Sequence, residues 1–142
     1  MNVSQTLSQA GRKWQSNLPA LEAEIAELKS KTRSELPTEY LDLLRFSNGG
    51  EGPLALEPLW FQLYPVKDCI EFCVDTESGK RFPEFLFFGS NGGLESIAFN
   101  LREGPPWPIV MVDPIAGAES ATIIAHNIAE FISAMGVESG EA

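Results

Sequence analysis

Chemistry in this sequence would have to run through very few groups. General acid or base catalysis usually recruits histidine, and the chain has one, His126. Steps of three and four residues align it with Glu119, Thr122 and Glu130, which reads as the polar face of a helix and a solvated imidazole. Cys69 and Cys73 are the two cysteines. Their spacing places both on one helical face, a poor geometry for a bridge and too few ligands for a structural zinc site. They also fall on an apolar stripe, where thiols behave as small hydrophobes. No metal and no cofactor are expected.

Gly89-Ser90-Asn91-Gly92-Gly93 follows a strand pattern and so invites comparison with a phosphate-binding loop. It lacks the Lys-Ser/Thr ending, and another strand pattern follows it. A hairpin turn that needs positive φ explains the run better. Without a Gly-x-Ser-x-Gly elbow, Ser90 and Ser96 carry no nucleophile signature. Glu95 and Asp113 stand at predicted strand ends, but among twenty acids such pairs arise by chance. Trp60, Phe61 and Trp107 cluster near breaks in the pattern. Trp60 is expected in the core. Trp107, set between Pro106 and Pro108, either contacts a partner or packs over a sheet edge.

The elements that would position these groups follow from periodicity. Val3, Leu7, Ala10 and Trp14, then Leu18, Leu21, Ile25 and Leu28, recur at helical steps, with a break near Asn17 to Pro19. A further helix starts at Leu36-Pro37, carries Tyr40, Leu41 and Leu44, and stops at Asn48-Gly49-Gly50. Leu54 to Leu56 and Leu59 to Tyr64 read as short strands. Val66, Cys69, Ile70, Cys73 and Val74 form an amphipathic helix, closed by polar turn residues from Asp75 to Arg81. Phe85 to Phe88 and Glu95 to Leu101 form a hairpin across the Asn-Gly turn. Arg102 to Trp107 is a Pro-rich loop, and Pro108 to Val112 joins the sheet. A last helix carries Ile124, Ile128, Phe131, Ile132 and Met135, with Ser120 as its N-cap. Helices, a run of strands interrupted by one helix, and a closing helix indicate α+β with a mostly antiparallel sheet.

With 142 residues and 44% hydrophobic content, the chain supports a conventional core without disulfides or metals. Its formal charge is −10. Residues 1–33 hold five basic and three acidic groups, a net of +2, and the rest holds five basic and seventeen acidic groups, a net of −12. Such a body repels phosphate backbones, so nucleic acid is not expected as a direct ligand. Neither a secretory signal nor a membrane span is visible, and a cytoplasmic protein with reduced thiols is expected.

The order Leu36-Pro37-x-x-Tyr40-x-x-x-Leu44, Ser47-Asn48-Gly49-Gly50-x-Gly52, Phe85-Leu86-Phe87-Phe88-Gly89-Ser90-Asn91-Gly92-Gly93-x-Glu95-x-Ile97-Ala98-Phe99 and Pro108-Ile109-Val110 resembles the SUKH superfamily. That family includes fungal cell-wall assembly regulators and a large bacterial set regarded as immunity proteins. The pattern covers roughly residues 34 to 135. It implies a SUKH-like domain over 34–136; residues 1–33 lie mostly outside the pattern as a helical extension, and 137–142 are expected to fray. It also implies a mostly antiparallel sheet flanked by helices, no catalytic activity, and a role in binding and neutralising toxin domains, often nucleases or nucleic-acid deaminases. Where the family often has an acid before the second pair of glycines, this chain has Ser90-Asn91; Glu95 fills the acidic position after them.

The acidic body supports a binder on separate grounds, since a toxin acting on nucleic acid is basic at its groove and is steered by a complementary field. The residues expected to meet such a partner are Glu51, Trp60, Glu95, Trp107 and Asp113. The alternatives are a housekeeping regulatory or scaffold protein of the cell-wall-regulator type, and a hydrolase using Glu95 and Asp113.

Overall fold

The computed structural model describes residues 1–32, 35–73, 82–102 and 104–138. The sequence readings at Val74, the turn 75–81, Glu103 in the Pro-rich loop, residues 139–142 and the side chain of Cys73 lie outside the described residues. Seven strands form one antiparallel sheet whose order is the order of the sequence. They are β1 Gln15–Ser16, β2 Gly50–Pro53, β3 Trp60–Leu63, β4 Phe85–Ser90, β5 Ser96–Asn100, β6 Ile109–Val112 and β7 Thr122–Ala125. The described helices are α1 Val3–Leu7, α2 Glu22–Lys31, α3 Thr38–Phe46, α4 Val66–Cys73 and α5 Ile128–Ala134. The fold is α+β, as the pattern of elements implies.

Alternation assigns the two faces of the sheet. Phe61, Leu63, Leu86, Phe88, Ile97, Phe99 and Ile109 share the main core with the buried sides of all five helices. On the opposite face Phe85, Phe87, Ala98, Val110 and Val112 form a second cluster with Phe82. Phe88 anchors the main core, with ring centroids 4.5 Å from Phe99, 5.6 Å from Tyr40, 5.7 Å from Phe61 and 5.6 Å from Phe131. The buried Tyr40 hydroxyl reaches Cys69 Sγ at 3.4 Å, and that thiol reaches the Phe87 carbonyl at 3.3 Å. Burying these polar atoms therefore leaves no orphaned donor. Cys69 is buried.

The structure corrects three sequence readings. First, α1 ends after Leu7 with Ser8 as its C-cap, and a left-handed φ of +89° at Gly11 bars a continuous helix from there to Trp14. Trp14 then stacks on Phe61 at 5.9 Å, and Gln15–Ser16 becomes a strand rather than helix. Leu18 and Leu21, placed by spacing on a core face, are 85% and 68% exposed. Second, the first internal strand is Gly50–Pro53 and not Leu54 to Leu56; Leu54 contributes only an isolated bridge to Met135. Its glycines let the β1 segment approach, since a Cβ on Gly52 would stand 2.9 Å from the Lys13 carbonyl and 3.1 Å from the Trp14 ring. Third, the closing helix is split. Ile124 belongs to β7, α5 starts only at Ile128, and Asn127, not Ser120, caps it through the Glu130 amide at 2.8 Å. Consecutive β-branched residues at Ile123 and Ile124 suit a strand better than a helix.

Residues 1–32 are built into the same body. Val3, Leu7, Ile25 and Leu28 are buried in the main core. The Lys13 amide donates to the Gly136 carbonyl at 2.8 Å, and the Gly136 amide donates to the Pro53 carbonyl at 2.8 Å. Lys13 and Glu138 pair at 2.7 Å, so within the stretch expected to fray, Glu138 is held. Arg45 bridges Glu22 at 2.9 Å and Asp42 at 3.1 Å. The Arg45 hydrogen bond, aided by its charge, holds the Glu22 carboxyl below the usual carboxylate range.

Candidate protein-binding site

Antiparallel register decides which connections meet. Pro53 pairs with Trp60, Gln62 with Ser90, Ser90 with Ser96 and Ser96 with Val112. Residues 54–59, 91–95 and 113–121 therefore leave the sheet at the same end. They contain Glu57, Glu95, Asp113 and Glu119 and no Lys, Arg or His. Each also exposes a large apolar side chain: Leu59 at 46%, Leu94 at 68% and Ile115 at 78%.

Local hydrogen bonding fixes all three segments. Asn91 Oδ1 accepts from the Gly93 amide at 2.8 Å and the Glu95 amide at 3.3 Å, while Ser90 Oγ accepts from Gly92 at 3.1 Å. These side-chain caps stand in for strand pairing at the turn and hold Leu94 in place. Asp113 Oδ1 accepts from Ile115 at 2.9 Å and Ala116 at 3.3 Å, and the Asp113 amide donates to Ser120 Oγ at 2.9 Å. That carboxylate orders the loop carrying Ile115. In the third connection Leu59 takes a φ of 73°, which costs an L-residue roughly 1–2 kcal/mol. Its amide donates to Leu56 at 2.7 Å and its carbonyl accepts from Leu54 at 3.0 Å.

Four of the five residues anticipated from sequence come together here. Glu95 and Asp113 flank the strand ends at which Ser96 pairs with Val112. Trp60 opens β3 on the face opposite buried Phe61 and is half-buried. Glu51 lies across from Gln62 and accepts its side-chain amide at 2.8 Å. A polar depression of about 510 Å³ runs from Glu51 along β3 to Asp68. Trp107 is not with them. It precedes β6 at the opposite end, is 6% exposed and packs edge-on to Phe99 at 6.4 Å. Leu59, Leu94 and Ile115 were not anticipated; for Leu94 and Ile115 the available signal is a single large apolar residue in an otherwise small and polar turn, whereas Leu59 shares its turn with Leu54 and Leu56.

The cation that precedes β1 at this end, Lys13, is engaged by Glu138. His126 sits in the turn before α5 rather than on a helix, with Nδ1 3.0 Å from Glu130 Oε2. Among the described residues, no group of three or more His, Cys, Asp or Glu is placed to hold a metal, and no helix is long and apolar enough to cross a membrane. Carboxylates interleaved with exposed apolar side chains can accept charge-assisted hydrogen bonds from Lys and Arg around apolar contacts.

A sequence model of the SMI1 / KNR4 family (SUKH-1) matches residues 19–134. The chain belongs to that family. The match starts ahead of the motif pattern and takes in α2, in keeping with the burial of Ile25 and Leu28 in the family core. No curated protein matches the chain.

Proposed function

We propose that this SMI1 / KNR4 family member is a non-catalytic binding module of the immunity type, which neutralises a basic toxin domain, a nuclease or a nucleic-acid deaminase, by direct contact. The observation that carries the reading is the turn end of the sheet, where three connections offer Leu59, Leu94 and Ile115 beside four acids without a cation. An apolar centre with a polar rim is the usual anatomy of a protein interface. Turns already fixed by Asn91 and Asp113 reduce the ordering cost of association. The −12 body speeds encounter with a basic groove and selects for it.

The test is binding to the toxin domain encoded beside the gene, with survival of cells expressing both. Leu94→Ala with Ile115→Ala is expected to raise the dissociation rate at least tenfold, since each hot-spot truncation costs more than about 1 kcal/mol. Glu95→Gln with Glu119→Gln is expected to slow association and flatten its salt dependence. Absence of binding at low salt, or unchanged rates in both pairs, overturns the reading. A housekeeping regulatory or scaffold role of the cell-wall-regulator type is the second reading, supported by the family description. A knockout with an envelope or growth phenotype, and no toxin gene alongside, would favour it.

A further inference from the structure

At the other end of the sheet, the start of α3, the loop before β6 and the start of α5 enclose a cleft of about 790 Å³. Its walls are Leu36, Pro37, Pro105, Pro106, Trp107 and Ile128. Two sequence motifs that the turn-end site leaves unused, Leu36-Pro37 and Pro106-Trp107, thus face one space. Glu35 and Glu39 also line it, and among the described residues no Lys, Arg or His does.

Volume and lining fall within the range of ligand-binding clefts. Prolines on two walls restrict the backbone before anything binds, which lowers the cost of ordering. Trp107 is fixed by packing against Phe99, so the apolar floor is preformed. The two carboxylates, Glu35 and Glu39, select a positive charge beside the apolar group that enters. We propose that this cleft is a second docking site, taking a short extended peptide segment in which apolar side chains are flanked by Lys or Arg. It is separate from the turn-end surface and does not depend on the identity of the partner there.

The probe is acetyl-Lys-Leu-Leu-Arg-amide, titrated into the full chain while the tryptophan indole N–H signals are followed by NMR. Its charge-reversed counterpart, acetyl-Glu-Leu-Leu-Glu-amide, is the control. A saturable shift of Trp107, with Trp14 and Trp60 unmoved, is expected for the cationic peptide alone. Glu35→Gln with Glu39→Gln should weaken that binding by roughly three- to tenfold, the scale of two partly exposed ion pairs. Ala129→Phe, which fills the cleft, should abolish it. An unchanged amide spectrum away from the cleft establishes that each variant is folded. No saturable shift, equal binding of the acidic peptide, unchanged affinity in the Glu35/Glu39 variant, or a shift centred on Trp60 overturns the proposal. None of these readouts involves a toxin, so this proposal and the immunity reading fail independently.

Discussion

Ser47 illustrates how much one small side chain can organise. It is fully buried, and its hydroxyl accepts from Trp14 Nε1 at 3.2 Å and from the Asn17 amide at 3.1 Å while donating to the Gly49 carbonyl. One donor and two lone pairs are all a hydroxyl has, so Ser47 is saturated. Next to it, Asn48 Oδ1 accepts from the Val66 amide at 2.8 Å at the start of α4. The Ser47-Asn48-Gly49-Gly50 motif thus joins α3, the β1 segment and α4, beyond serving as a helix stop. Ser47→Ala strands two donors and a carbonyl, and each buried unsatisfied group costs about 1–3 kcal/mol. A stability loss of about 2–3 kcal/mol in urea unfolding is expected, and a loss below about 0.5 kcal/mol would contradict the assignment.

At the scale of elements, the β4–β5 hairpin shows what could be read in advance and what could not. Phe85 to Phe88, the Asn-Gly turn and the alternation of Ile97 and Phe99 specify it locally, as the spacing of Tyr40, Leu41 and Leu44 specifies α3. The irregularity between Phe87 and Gly89 is not written in that pattern. A Cβ on Gly89 would fall on the Phe61 ring and within 2.5 Å of the Gln62 carbonyl, so the neighbouring strand demands the glycine. Gly89→Ala is expected to cost about 1–3 kcal/mol through overpacking, with partial rescue by Phe61→Leu in the same denaturant series; a neutral Gly89→Ala would refute the close approach. β2 escaped the sequence reading for a related reason. Gly-Glu-Gly-Pro has no strand propensity, and Trp14 docking against Gly52 makes it a strand. β7 escaped because Ile124 and Ile128 are spaced as a helix face, while the turn at Asn127 separates them. The site was partly legible as residue types at predicted strand ends. Only the register could show that Glu51, Trp60, Glu95 and Asp113 share one end and Trp107 the other.

For the whole molecule, two of the five cations of the basic N-terminal stretch have partners within the fold. Arg12 donates to the carbonyls of Ser133 at 3.0 Å and Met135 at 2.8 Å, and Lys13 is paired with Glu138. The basic N-terminal stretch is directed partly into its own fold and offers correspondingly less charge to an acidic partner.

The sequential strand order, closed by the Lys13, Gly136 and Pro53 clasp, has a kinetic meaning. Neighbouring strands close short loops and can form early, whereas the clasp joins distant parts of the chain and incurs the larger loop-closure cost. Native-state hydrogen exchange is therefore expected to open Lys13 and Gly136 at lower free energy than Phe88 and Phe99; equal protection would show that the clasp opens only with the whole fold. During synthesis the Lys13 amide, just ahead of the first strand, cannot reach its partner until residue 136 has been made and released from the ribosome. The beginning of the chain is finished last.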